Sequence, residues 1–424
     1  MDNASLTQWL ARLETLHPNP IDLGLERVAR VASELDIIPV AAPVVTVAGT
    51  NGKGSTVAVL EAVLDQCGQL AGVYTSPHLL RFNERIRVGT REASDAEIVA
   101  AFAAIENARA DTSLTYFEFA TLAALLVFRD RGVDVLVLEV GLGGRLDAVN
   151  IVDTTVAVIT SIELDHQGWL GDDRGSIARE KGGIMRSGVP VVIGDRRPPP
   201  ELIECAEAIG AEPILRLGHE FGFDEKDGAW EGRLLGCHGV PRILPQQPRT
   251  SLIPDNVCVG LQAALQLGCE FDSRQLSAAL AAARPRGRCE SVSVADYEVV
   301  LDVAHNPSSV YNLVEYLNVT PCKGKTISLF SAMGDKDIGA MIKATGHRFD
   351  SWLLAEQPDN PRAAPTADIA LLLKRQGQVV ESISSDLCQA FRHAQSVLAG
   401  GDRLVVFGSF FTVAAVLPLL EHTQ

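Results

Sequence analysis

Apolar residues along this chain recur in two rhythms, one helical and one extended, and the two alternate. Leu6, Trp9, Leu13 and Leu16 share one helical face, and His17-Pro18-Asn19-Pro20 ends it. The loop Ile21-Asp22-Leu23-Gly24 leads to a second helical face through Leu25, Val28, Ala32 and Leu35. Val44-Val45-Thr46-Val47-Ala48 is β-branched or apolar throughout, which predicts a parallel strand buried on both faces. The run breaks at Gly49, and helical spacing resumes through Val57, Leu60 and Leu64. Gly72-Val73-Tyr74 predicts another strand, and Ser94 with Glu97 predicts a capped helix start. An apolar helix is expected from Phe117 to Phe128, where the aromatics suit either a core or a ligand platform. Val133 to Val140 is the clearest buried strand, and Thr155–Thr160 and Val189–Ile193 are further strands with a helix over Ile177–Met185 between them.

Gly- and Pro-rich sequence from Gly218 to Ser251 predicts a β appendage, followed by helices from Asp255 or Asn256 to Leu267 and from Ser273 to Ala283. Arg284-Pro285-Arg286-Gly287-Arg288 then interrupts the pattern. Strands near Tyr297–Val303, Thr326–Phe330, Trp352–Leu354 and Leu404–Phe407 alternate with helical stretches beyond it. The expected organisation is an α/β domain over 1–284, a linker over 285–290 and a smaller parallel α/β domain over 291–424.

Chemistry-bearing residues gather where strands end, the edge at which open α/β sheets bind ligands. Gly49-Thr50-Asn51-Gly52-Lys53-Gly54-Ser55-Thr56 joins a strand to a helix start. Such a turn offers backbone N–H groups and a helix dipole to a phosphate, Lys53 adds a full charge, and Ser55 or Thr56 a hydroxyl for Mg²⁺. Glu139, the charged residue near the end of Val133–Val140, stands where an acidic side chain can hold Mg²⁺ facing that loop. The Gly141-Leu142-Gly143-Gly144 run lacks a suitably spaced acidic partner on another strand, so dinucleotide binding is rejected. His166, beside Glu163 and Asp165, reads either as a metal ligand or as a surface histidine. Arg81, Glu84, Arg85 and Arg87 read either as a solvated hairpin or as substrate contacts. In the second domain, Asp302 and His305, the Met333–Asp337 turn and Gly408-Ser409 lie at strand ends, with no second phosphate loop.

Composition narrows the classes. The net charge of −16 argues against a nucleic-acid or anionic-membrane surface. Eight cysteines lie singly, with no C-x-x-C pair, which fits reduced thiols. No signal peptide and no apolar run long enough for a bilayer is apparent, so a cytoplasmic location is expected, and with no dimerisation signature a monomer is the default.

The ordered set AGTNGKGST, YTSPHL, LEVGLGGRLDAVN, SIELDH, REKGGI, RPRGRCE, LDVAHNP, AMGDKD and GSFFTV resembles the folylpolyglutamate synthase family of the Mur-ligase superfamily. Ile21–Arg27 resembles its bacterial bifunctional members, which also act as dihydrofolate synthases; a monofunctional folylpolyglutamate synthase is the alternative. The resemblance implies an N-terminal P-loop ATPase domain of the Mur-ligase central type and a Rossmann-like C-terminal domain. It implies ATP-driven amide formation through an acyl phosphate, with L-glutamate as the incoming amine and dihydropteroate or a reduced folate as acceptor. It assigns Gly52, Lys53, Gly54, Ser55, Asn256, Arg288 and Asp302 to ATP, and Ser55, Ser76, Glu139 and His166 to Mg²⁺, with two ions expected and a monovalent cation as a candidate addition. Lys181 matches a lysine that is carbamylated in the family, and Lys53, Lys181, Asp302, His305 and Ser409 are the catalytic candidates. Asp22, Leu23, Gly24, Phe117, Glu118, Phe119, Arg145, Leu146 and Asp147 are implied for the pterin pocket. Gly182 departs from the family pattern, in which Lys-Ala-Gly is expected.

Overall fold

The computed structural model describes residues 4–226 and 228–421. The chain divides into two compact units, Met1–Arg284 and Pro285–Gln424. Among the described residues, the first carries an eight-stranded sheet in the order Arg91–Glu92, Ile86–Val88, Ala71–Tyr74, Val135–Glu139, Val44–Ala48, Val156–Ile159, Val191–Ile193, Ile214–Arg216. The two strands at one edge run antiparallel and the others pair in parallel.

Val44–Ala48 sits inside this sheet because all five of its residues can be buried. Val44 and Ala48 join an apolar layer that holds Trp9, Phe102, Phe119 and Phe128. Val45 and Val47 join the opposite layer with Val57, Leu60, Val257 and Leu261. Each face is therefore shielded by helices, as a parallel sheet requires. The helices Pro254–Gln266 and Ser273–Ala282 pack on Lys53–Gln66. The appendage is a small antiparallel sheet around Ala229–Leu235, and its Trp230, Leu234 and Leu244 enter the same layer.

Several expected boundaries shift by one to three residues, among them the helix expected from Asp255 or Asn256, which starts at Pro254, and two shifts have an evident cause. The helix placed at Ile177–Met185 spans Arg174–Gly182, because the Asp173 carboxylate accepts from the Ser176 N–H at 2.8 Å and starts it earlier. Residues 285–290 are not a free linker. Val303 N–H donates to the Gly287 carbonyl at 2.8 Å, Gly287 N–H donates to the Glu290 carboxylate at 2.7 Å, and Glu290 opens a strand.

In the second unit six strands run in the order Glu290–Val294, Tyr297–Leu301, Arg403–Phe407, Thr326–Phe330, Ser351–Ala355, Val380–Ser384. The first pair is antiparallel and the remainder parallel. Phe330, Phe349, Trp352 and Phe407 form one aromatic cluster in its core, with Phe330 and Phe407 centroids 4.9 Å apart. No described helix of the chain is long and apolar enough to cross a membrane.

Candidate active site

The loop after Val44–Ala48 is held down by hydrogen bonds to the segment Thr160–Ser161. Thr50 N–H donates to the Ser161 carbonyl at 2.7 Å, Asn51 N–H to the Ser161 hydroxyl at 3.0 Å, and the Thr160 hydroxyl to the Asn51 carbonyl at 2.6 Å. Two glycines allow this. Gly49 takes φ +145°, and a Cβ there would lie 1.9 Å from the Thr160 hydroxyl oxygen. Gly52 takes φ +88°, and a Cβ would lie 2.4 Å from Asn256 Oδ1, so the Asn256 carboxamide closes over the loop. The helix Lys53–Gln66 starts at once, with Ser55 in its first turn and buried.

Two lysines converge on one carbonyl. Lys53 Nζ donates to the Gly49 and Thr50 carbonyls at 2.9 and 3.3 Å, and Lys181 Nζ donates to the Gly49 carbonyl at 2.9 Å. Lys181 is buried, and burial first, then the Lys53 charge, lowers its pKa to about 7. The carboxylates of Asp165 and Asp147 offset part of that. A lysine so placed is partly a neutral amine at physiological pH.

Glu139 ends its strand opposite Val47, buried, with Oε2 accepting from Ser76 N–H at 3.3 Å. Ser55, Ser76 and Glu139 offer hydroxyl and carboxylate oxygens, the donor chemistry that Mg²⁺ prefers. Among the described residues no three His, Cys, Asp or Glu side chains gather as a metal cage. The set therefore fits a cation that takes its remaining oxygens from phosphate and water. His166 lies at φ +52° before the short helix Gln167–Leu170, nearly half exposed, with Nε2 4.0 Å from Asp165 Oδ2.

The expected pterin residues separate into groups. A Cβ on Gly141 would lie 2.7 Å from the Phe117 ring and 3.3 Å from Asp147 Oδ2, so those two side chains flank one point of backbone. The Asp147 carboxyl is raised to about 6 by burial, against the pull of N–H groups from Leu142 and Val149 at 2.8 and 3.1 Å. Leu146 is half-buried beside it. Asp22 pairs with Arg27 at 2.8 Å, and Arg27 lies 3.1 Å from Glu118, tying the half-buried Leu23-Gly24 loop to the start of Tyr116–Arg131. Glu118 itself accepts from Thr115 N–H at 2.7 Å in a capping box, which is a structural duty. Arg145 points outward and pairs with Glu180 at 2.9 Å. Phe119 is a correction: it is wholly buried, 5.4 Å from Phe102 and 6.4 Å from Trp9 between ring centroids, and has no surface for a ligand.

Tyr74, at the end of an inner strand, is wholly buried, and its ring lies 5.8 Å from that of Phe117. Among the residues left open, Arg85 donates from Nε to His78 Nδ1 at 2.7 Å and lies over the Phe82 and Tyr116 rings. Burial, then the Arg85 charge, lowers His78 to about 4. Arg87 is no solvated residue, for its guanidinium clasps Glu61 at 2.7 Å.

In the second unit the Asp302 carboxylate accepts from Cys289 N–H and Ala304 N–H, each at 2.7 Å, and from the Cys289 thiol at 3.3 Å. Its burial raises its pKa, and the neighbouring Arg288 charge acts the other way. His305 Nδ1 lies 2.9 Å from the Val303 carbonyl. A carbonyl can only accept, so Nδ1 carries the hydrogen and Nε2 is the basic nitrogen. Ser409, expected at the transfer site, is buried as a cap: its Oγ accepts from Thr412 N–H at 3.0 Å and lies 2.8 Å from Thr412 Oγ1.

A phosphate loop on one parallel α/β unit, followed by a second such unit with an Asp–His strand end, defines a class of ATP-using ligases, and family models agree. Residues 47–220 match the Mur ligase middle domain, and residues 287–410 match the Mur ligase glutamate ligase domain. A dihydrofolate synthase/folylpolyglutamate synthase of Escherichia coli strain K12 is 41% identical over 417 residues, 98% of this chain and 96% of the relative. Its Haemophilus influenzae namesake is 36% identical, with 98% of each chain covered. The solved structure of E. coli FolC in complex with DHPP and ADP superposes with a TM-score of 0.90 at 40% identity, covering 99% of this chain and 98% of that one. A bifunctional folylpolyglutamate synthase/dihydrofolate synthase with Mn, AMPPNP and L-glutamate bound gives 0.89 at 40% identity, with coverage of 99% and 98%. The chain belongs to the dihydrofolate synthase/folylpolyglutamate synthase family.

Proposed function

We propose that the chain uses ATP to join L-glutamate to dihydropteroate, forming dihydrofolate, and to reduced folates, forming folylpolyglutamates. The observation that carries this reading is the convergence of Lys53 and Lys181 on the Gly49 carbonyl, at a glycine loop next to the buried Glu139. That array places the Lys53 charge, a buried lysine open to carbamylation and hard oxygen donors where a metal-bound triphosphate would lie. In the relatives, FolC of E. coli holds DHPP and ADP, and a bifunctional enzyme holds Mn, AMPPNP and L-glutamate.

The acceptor carboxylate attacks the γ-phosphorus of ATP, the bond to the β-phosphate oxygen breaks, and ADP leaves an acyl phosphate. The glutamate amine then attacks the acyl carbon, phosphate departs and the nitrogen loses its proton. Lys53 neutralises charge on the transferring phosphoryl group, while N–H groups of the Gly52–Ser55 turn bind the other phosphates. Asn256, Arg288 and Asp302 are assigned to the nucleotide. Ser55, Ser76, Glu139 and His166 would hold Mg²⁺, which supplies Lewis-acid charge for phosphoryl transfer. Phe117, Leu146 and Asp147, with Leu23 and Gly24, serve the pterin. His305 Nε2 takes the proton released by the glutamate amine.

Carbamylation of Lys181, which the family resemblance implies, is favoured by the burial that lowers its pKa. The ammonium first gives up one proton, the neutral amine adds to CO₂ with formation of an N–C bond, a second proton leaves, and the cation next to Lys53 becomes a carbamate anion. Intact-mass measurement under CO₂ tests this, and an unmodified lysine in active protein refutes it.

The primary experiment measures ADP release with Mg-ATP and L-glutamate, comparing dihydropteroate with tetrahydrofolate. Turnover with both is expected. Turnover with tetrahydrofolate alone leaves a monofunctional folylpolyglutamate synthase, and silence with both rejects the acceptor class.

A further inference from the structure

Arg87 stands on the strand Ile86–Val88, paired with Val73 across an antiparallel ladder. Its neighbours Ile86 and Val88 enter one apolar layer of the sheet. By strand alternation Arg87 therefore faces the other side, where the phosphate-loop helix Lys53–Gln66 packs. There it grips Glu61 of that helix with two nitrogens, Nε at 2.9 Å from Oε1 and Nη2 at 2.7 Å from Oε2. Its third nitrogen, Nη1, donates to the Thr75 hydroxyl at 3.1 Å and to the Glu84 carbonyl at 2.8 Å. Thr75 immediately precedes Ser76, whose own N–H donates to Glu139.

We propose that Arg87 is a positioning residue for the nucleotide's divalent cation: it fixes the Thr75–Ser76 loop against the phosphate-loop helix and so sets Ser76 and Glu139 in place. The proposal rests on the reading of those two residues given above. Two physical features support it. The contact is a planar fork spread over three chain segments, which a lysine's single ammonium cannot reproduce. The Arg87–Glu61 pair is also internally neutral. Burial opposes the guanidinium charge, but Glu61, with a smaller contribution from Glu139, holds it above its ordinary pKa. Substituting Glu61 alone would turn an uncompensated arginine on Glu139.

The test uses the full chain with AMPPNP, titrating Mn²⁺ and following the spectroscopic signal of the free ion by electron paramagnetic resonance. The variants are Arg87→Met, Arg87→Lys and the isosteric Glu61→Gln, each checked for a native circular dichroism spectrum. AMPPNP binding in EDTA serves as the metal-free control. We expect Arg87→Met and Glu61→Gln to weaken Mn²⁺ binding about tenfold or more, the size of effects from groups that orient metal ligands. Metal-free nucleotide binding should stay within about threefold of wild type, and Arg87→Lys should recover only part of the loss. Unchanged Mn²⁺ binding in the folded variants overturns the proposal, as does an equal loss of metal-free AMPPNP binding, which would mark a merely structural pair. If Arg87→Met does not fold, Glu61→Gln decides between the same outcomes. A wild-type chain that binds no Mn²⁺ with AMPPNP overturns the site reading and this proposal together.

Discussion

The two units place polar residues at the same edge of parallel sheets, yet they treat charge in opposite ways. In the first, two lysines share one carbonyl, and a buried carboxylate and a carboxyl raised to about 6 stand nearby. In the second, Asp302 takes one backbone N–H bond from Ala304 in its own turn and one from Cys289 in another segment, His305 holds a carbonyl two residues away, and Ser409 caps the next helix. The first edge keeps like charges close, at a cost that a polyphosphate and a cation would relieve. In the second, backbone groups take up much of the hydrogen-bonding capacity of these side chains. Burial of like charge therefore sets activity against stability in the first unit, whereas backbone hydrogen bonds steady the side chains of the second.

The sharpest way to break this contrast is Lys53→Ala. ADP release should fall ~10²–10³-fold, the scale for removing one preorganised charge-stabilising group. Retained turnover would remove the phosphate-loop assignment altogether.

Lys181→Met should abolish turnover yet raise stability by ~1–4 kcal/mol in CO₂-free buffer, because a buried ammonium is replaced by an apolar chain. The pH dependence has a definite sign. The folded pKa is depressed from 10.5 to about 7, so the cost of burying the charge is complete below pH 7. Between those values the unfolded chain binds more protons, and wild-type stability rises with pH relative to the variant. Thermal melts of both proteins at pH 6 and pH 9 test this, and an advantage for the methionine variant that grows with pH would contradict it.

Ser409→Ala should show the reverse balance. It should cost ~1 kcal/mol through the lost cap, seen as a lower melting temperature, with kcat changed by less than about threefold. A loss of kcat without a loss of stability would return Ser409 to the reaction.

The smallest effect belongs to Gly182. A Cβ there would meet Cys205 at 3.5 Å, an ordinary contact, whereas at Gly183 it would lie 2.4 Å from the Arg145 Cβ. Gly182→Ala should thus stabilise by ~0.5–1 kcal/mol with turnover unchanged, and Gly183→Ala should destabilise. Chemical denaturation of the two variants measures both.

Much of this was legible along the chain. The inner strands of both sheets carry uninterrupted apolar residues, and the phosphate loop has a composition that few other structures require. Strands with polar alternation or little length were harder to see: Ile86–Val88, Ile214–Arg216 and Val380–Ser384 become strands because a neighbour supplies their hydrogen bonds.

By itself the sequence determined the α/β class, the glycine loop with Lys53, and the placing of Glu139, Lys181, Asp302 and His305 near the ends of elements. Those are local properties, set by periodicity and backbone freedom. Only the tertiary structure decided which polar groups remain chemically committed to the site. Phe117 and Phe119 are two residues apart with the same side chain, yet one flanks Asp147 and the other fills the core beside Trp9. Arg85 and Arg87 are equally close in sequence, yet one lies over two aromatic rings and the other is locked to Glu61. Burial and pairing depend on what the fold brings opposite a side chain, and no spacing along the chain encodes that.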